Sequence, residues 1–348
     1  MPSPLDPALN ISHDVDLDVH GAVPPGLSGR VIAIDRDGVV HSVQLCDGRV
    51  SYRGWRFQTD TVLHHVVAFS GSILAFGDDS LAYELSAELD TLSPVDLAGQ
   101  RRSPAAYPKL DPTTGELHLI AAAPEGTQAH VVISAGALTR RSQPILDRPN
   151  RVCDLALTSD HVLMLADGFV GLTSRHGEAH TTWISTDVSA PHPVHAHDAG
   201  DSVELLALTP SIERWTIRTG GASVQREVLD PTPRRFAHCA SNGIDETARV
   251  LWTTGDTTVG HHDLAASRHT YRNLWHHVPG DLIFVPDPTR ADDTDGGWLV
   301  GFVHDPSGAS EFRVIDSAAI ARPAVADAAI KRRIPRDLRC TWIPSIQP

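Results

Sequence analysis

Apolar and polar residues alternate in short runs along most of this chain, and the runs are separated by Gly, Pro, Asp and Asn. The clearest case is Asp35-Arg-Asp-Gly-Val-Val-His-Ser-Val-Gln-Leu-Cys-Asp-Gly-Arg-Val-Ser-Tyr-Arg53. Side chains alternate faces on a strand, so this pattern predicts two half-buried strands turned by Asp47-Gly48. Ser72–Gly77 and Ala82–Leu85 flank another short turn, and Asp111–Gly115 is a turn before a strand over 116–120. Further strands are predicted at 162–165, 203–208, 213–217, 249–252, 298–303 and 311–315.

Short strands at regular spacing define an all-β chain. No long amphipathic helix competes: Ser317–Ile330 has helical composition, but Pro323 interrupts it. Residues 1–20 are rich in Pro and Asp and read as an extended N-terminal arm, leaving 21–348 as one domain. Radial repetition of blades leaves few exposed edges, so a β-propeller answers the pattern. Seven four-stranded blades of ~40–45 residues would use most of the chain. No repeat signature such as Trp-Asp is present, so periodicity alone does not choose a propeller over a sandwich.

Composition narrows the function. The chain has 348 residues, 41% of them hydrophobic and 21% charged, as in ordinary soluble globular proteins. Its net charge of −14 argues against a nucleic-acid partner, which would want a basic face. Cys46, Cys153, Cys239 and Cys340 are scattered without a Cys-x-x-Cys pair, which predicts free thiols and a cytoplasmic location. The N-terminus lacks the basic and apolar regions of a signal peptide, and no apolar run reaches the ~20 residues of a transmembrane helix.

The candidate chemistry centres on Ala190-Pro-His-Pro-Val-His-Ala-His-Asp-Ala-Gly-Asp201, with His192, His195 and His197 close together. His195 and His197 share a strand face; His192 joins them only if Pro193 bulges the strand. The spacing His-x-x-His-x-His matches no standard zinc motif. The adjacent pairs His64-His65, His261-His262 and His276-His277 diverge on a strand and read as surface histidines. No nucleophile elbow, phosphate loop or dinucleotide fingerprint is present.

The stretch from His192 to Asp201 resembles the His-x-x-Asn-Ala-Tyr-Glu-x-Gly-Asp segment of the carotenoid cleavage oxygenases. Similar pieces follow in order across the chain. They include Val23-Pro-Pro-Gly-Leu-Ser-Gly-Arg30, the 35–53 hairpin, Gly280-Asp-Leu-Ile-Phe-Val-Pro286, Asp292–Leu299, Val314-Ile-Asp316 and Thr341-Trp-Ile-Pro344. The resemblance implies a seven-bladed β-propeller, with a first blade trimmed because the family's Asn-Gly-Pro-Asn-Pro segment is missing. It also implies an iron(II) site of four histidines on the propeller axis.

Only one of those histidines has a counterpart, His192. The other ligand positions carry Tyr107 (in Ala-Tyr-Pro-Lys), Cys153 (in Cys-Asp-Leu) and Arg339 (in Leu-Arg-Cys-Thr-Trp). Three glutamates orient the ligand histidines in the family, and their places are taken by Asp78, Arg235 and Asp281. Arginine has no lone pair to donate. Tyr107, Cys153 and His192 remain as an alternative three-ligand site, against which Arg339 sets a positive charge. An ion network in place of the metal is expected instead, with Arg339 paired to Asp281 or sharing a water with it, and Arg235 either paired to Asp78 or acting on His192.

These substitutions predict no bound cofactor and no iron-dependent oxygenation. They suit a metal-free site that binds, or transforms by cyclisation, isomerisation or elimination, an apolar polyene- or isoprenoid-like molecule in an axial tunnel. A non-catalytic binder of such a ligand, and an iron enzyme with an altered site, are the alternatives.

Overall fold

The structure is a computed structural model. It describes residues 11–57, 63, 65–77, 82–86, 88–95, 103–104, 108–122, 127–134, 140–145, 150–176, 180–189, 191–220, 223–240, 244 and 246–345. The described strands form seven antiparallel sheets of four or five strands, the seven blades of a β-propeller. Helix is confined to two single turns of 3-10 type, Pro288–Arg290 and Ser317–Ala319.

The blades fall into two compact units, residues 1–65 with 234–240 and 248–348, and residues 66–233 with 241–247. In the first unit, one blade runs Ile11–Asp16, Arg49–Arg56, Val39–Cys46, Gly29–Ile34 and Cys340–Pro344, so both ends of the chain build one sheet. A second runs from Val19–Gly21 through Ala326–Ile330, Ser310–Asp316 and Gly297–His304 to Val278–Pro286, and the third spans Phe236–Asn273. Ile11–Asp16 and Val19–Gly21 pair as the outer strands of two blades. In the first of these blades Asp35–Gly38 is a turn that joins two strands directly.

The predicted hairpin at Asp47-Gly48 forms, with both residues at positive φ of 50° and 77° as a tight two-residue turn requires. The Pro323 break ends more than a helix: Ala326–Ile330 is a strand, because its buried positions Ala326, Ala328 and Ile330 recur with period two. Phe302 and Phe312 meet edge to face in the first unit's core, with Val31, Val43 and Val314 around them. In the second unit Trp215, Leu205, Leu165 and Val203 form one cluster and Leu119, Val131 and Phe69 another. Outer strands such as Val224–Asp230 and Arg268–Asn273 are mostly exposed, so the buried, inward strands carry the candidate site.

Candidate functional site

Three inner strands carry a β-bulge at the positions singled out in the sequence. In Val152–Leu157 the register shifts between Val152 and Asp154, leaving Cys153 as the extra residue. In His192–Ala199 it shifts between Pro193 and His195, and in Val278–Pro286 between Pro279 and Leu282, around Asp281. Bulges re-aim side chains and concentrate beside active sites. The second of them brings His192, opposite Leu208, into the same alternation as His195 opposite Leu206 and His197 opposite Glu204. The condition on which His192 joins that face, a bulge at Pro193, is met. The third is helped by Gly301, where a Cβ would lie 2.3 Å from the Asp281 carbonyl oxygen.

In the second unit the centre of the site is Asp154, a residue that sequence reasoning passed over. It is buried, and its Oδ1 accepts the Leu155 amide at 2.8 Å and lies 3.3 Å from Lys109 Nζ. His192 Nδ1 lies 3.8 Å from Oδ2. One carboxylate thus ties strands Lys109–Leu110 and Val152–Leu157 and faces His192–Ala199 at a distance beyond a hydrogen bond, the three strands belonging to three blades. The clue was available: Asp154 follows Cys153 directly, and a carboxylate on a bulge between Lys and His is a natural bridge. Cys153 is exposed, its thiol approaches the Arg151 carbonyl at 3.5 Å, and burial of its sulfur raises its pKa, which keeps it protonated.

Next to this tie lies a cleft of about 270 Å³. Leu110, Pro112, Leu155, Leu157, Val194 and Ile244 form its walls, and Lys109 and His195 also line it. His195 Nε2 lies 2.7 Å from the Glu246 carbonyl oxygen, and burial lowers the pKa of the ring. His197 stacks on His195 with centroids 5.8 Å apart.

In the first unit the corresponding carboxylate is Asp281, also buried. Its Oδ1 makes a short hydrogen bond with His238 Nε2, and its Oδ2 accepts the Cys340 amide at 2.9 Å. The direct partners of Asp281 are His238 and the Cys340 amide, joining Phe236–Ala240, Val278–Pro286 and Cys340–Pro344. A backbone amide and an imidazole reach the bulged Asp281 from neighbouring strands, which leaves that carboxylate without need of a guanidinium. Arg339 is half-buried, one residue before Cys340–Pro344. Arg235 turns instead to Asp337 at 2.9 Å and Asp256 at 3.5 Å, both exposed side chains. Tyr107 and Asp78 lie outside the described residues, so the expected Arg235–Asp78 pair does too. One surface expectation is overturned: His262 is buried, hydrogen-bonded to Thr253 and His269, because alternation turns one of two adjacent histidines inward.

Two of the positions that the resemblance assigns to iron ligands, Cys153 and Arg339, do not suit the four-histidine centre of the family. Arg339 has no lone pair to donate and Cys153 favours its protonated thiol, whereas a carboxylate beside His192 Nδ1 is an arrangement that also orients ligand imidazoles. Among the described residues no three His, Cys, Asp or Glu side chains are gathered as a metal would need.

The architecture is that of a seven-bladed propeller whose inner strands carry bulged site positions. The family described as Retinal pigment epithelial membrane protein matches residues 54–195 and 180–344, and the chain belongs to this family, that of the carotenoid oxygenases. It is similar to a carotenoid cleavage oxygenase of Mycobacterium tuberculosis, at 21% identity over 95% of this chain and 94% of that protein. Structures of the Synechocystis apocarotenoid oxygenase share the fold; a Glu150Gln mutant superposes with a TM-score of 0.84 at 16% identity, covering 99% of both chains. The Pseudomonas brassicacearum lignostilbene dioxygenase gives 0.84 at 18% identity, covering 97% of this chain and 96% of that one. A cobalt-substituted form of the Synechocystis enzyme is among the similar structures, with a TM-score of 0.82 and 16% identity over 96% of both chains. No described helix is long and apolar enough to cross a membrane.

Proposed function

We propose that this chain binds an apolar polyene- or isoprenoid-like small molecule and transforms it without iron or oxygen. Proton transfer is the available chemistry, as in a cyclisation, isomerisation or elimination. The observation that carries the reading is the cleft beside Asp154. Its walls are aliphatic, and its few polar groups sit at defined places, the usual build of a small-molecule site. At about 270 Å³ it suits a small ligand or one end of a longer one. The ligand-position residues support a metal-free site, since Arg339 supplies a charge where the family places a donor. The acidic balance of the chain speaks against nucleic acid, and its scattered cysteines suit the cytoplasm.

Iron-dependent cleavage of a carotenoid-type double bond is the second reading, favoured by the names of the relatives. Expression in iron-supplemented medium, followed by metal analysis and organic extraction of the purified protein, separates the two. The proposal expects iron well below one per chain and an apolar extractable ligand. About one iron per chain, lost in His192→Ala, overturns it. A ligand recovered unchanged after prolonged incubation would assign the chain to binding alone.

A further inference from the structure

The cleft beside Asp154 offers a base and a cation together. His195 Nε2 faces the Glu246 carbonyl oxygen at 2.7 Å, and a carbonyl only accepts, so Nε2 carries the proton. In the neutral ring the lone pair then belongs to Nδ1. Burial favours this neutral form and the stacked His197 adds to the effect, while the hydrogen bond to the Glu246 carbonyl and the Glu246 carboxylate oppose it. These and Lys109, which lines the same cleft, are the charged or titratable groups around the ring; Glu204 stands behind His197 at 3.8 Å. Lys109 Nζ is held by the buried Asp154 carboxylate at 3.3 Å. The walls Leu155, Leu157, Val194 and Ile244 give neither group competition for a polar ligand atom.

We infer that His195 and Lys109 form a proton-transfer pair for an apolar unsaturated ketone or aldehyde, shifting its carbon–carbon double bond into conjugation. This deepens the proposed function and rests on it. His195 Nδ1 takes a proton from the carbon between the carbonyl and the double bond. The C–H electron pair becomes a new C=C, the carbonyl π pair moves to oxygen, and the dienolate oxygen accepts a hydrogen bond from the Lys109 ammonium. The imidazolium returns the proton to the far carbon of the original double bond. The product is the conjugated isomer. Nothing is oxidised or reduced, and no co-reactant is consumed.

The test uses 4-pentylcyclohex-3-enone, with binding read by equilibrium dialysis and isomerisation by the ultraviolet absorbance of the conjugated enone. The full-length protein is expected to bind and isomerise it. His195→Gln should lower kcat by about 100-fold or more with KM nearly unchanged, the range for loss of a general base. Lys109→Met should lower kcat, and Lys109→Arg should restore part of it. His276→Gln, an exposed histidine, should leave the rate unchanged. The wild-type kcat/KM should fall off in acid at a lower pH than an ordinary imidazole would give, because the working form of His195 is the neutral one and its pKa lies below the usual value. A probe that binds but is not isomerised, or a His195→Gln protein as fast as wild type, overturns the inference and leaves the apolar-ligand reading standing. A probe that does not bind removes both.

Discussion

Two buried carboxylates, one in each unit, do the same job with different partners. Asp154 and Asp281 each sit on a bulged inner strand and each face inner strands of two further blades. Asp154 faces two flexible side chains, Lys109 and His192, which are 30% and 44% exposed. Asp281 holds a short hydrogen bond to His238 and a backbone amide. The first arrangement keeps polar groups at the edge of an open cleft; the second closes on itself. An amide is already fixed by its strand and gives up no side-chain entropy, whereas Lys109 must be ordered to make its contact. The Asp281 tie is built for rigidity and the Asp154 tie for access.

Asp281→Ala is the largest break. It leaves the Cys340 amide and His238 Nε2 without their partner beneath the surface, at a cost of about 2–4 kcal/mol. Urea denaturation should show the midpoint falling accordingly. A loss below about 1 kcal/mol would mean that water replaces the carboxylate and that the tie is not rigid.

How much of this was legible in the sequence follows from the range of each interaction. The hairpin at Asp47-Gly48 and the bulge at Pro193 are local, written in turn chemistry and in a proline that strands accept poorly. The blade count came from the resemblance, since no repeated motif marks the blades. The two ties were not legible. His238 and Asp281 are 43 positions apart, and no local rule says that an imidazole on one inner strand will face a carboxylate on the next. The guanidinium of Arg339 looked like the natural partner of Asp281 because charge was the only criterion available. In the folded chain an exposed Arg235 finds Asp337 and Asp256 at the surface, where solvation lowers the cost of pairing. His192, in contrast, kept the place its motif gave it.

Asp154→Ala should cost less, about 1–2 kcal/mol, because Lys109 and His192 can turn to solvent once released. The same substitution should disturb ligand retention in the cleft more than Asp281→Ala does. Measuring both proteins by denaturation and by extraction of bound ligand sharpens the contrast. Equal stability losses with equal ligand loss would erase the distinction between a rigid tie and an accessible one.

The smallest effect concerns the thiol beside each tie. Cys153 adjoins Asp154 and is exposed; Cys340 donates its amide to Asp281 and its sulfur is enclosed. Both thiols are raised in pKa, Cys153 by burial first and Cys340 well above the usual value by burial and then by the Asp281 carboxylate. Thiolate is the reactive form, so neither reacts fast near neutrality, but access separates them. N-ethylmaleimide at pH 8 should label Cys46 and then Cys153 in the native protein, as read by peptide mass mapping. Cys340 should stay unlabelled until the protein is unfolded, and so should Cys239, whose pKa burial pushes up to about 12. Cys153→Ser should change stability by no more than about 0.5 kcal/mol, as exposed sites usually do. Labelling of Cys340 at the rate of Cys153 would show that the strand Cys340–Pro344 opens readily, and the rigid tie at Asp281 would then be the wrong description of that unit.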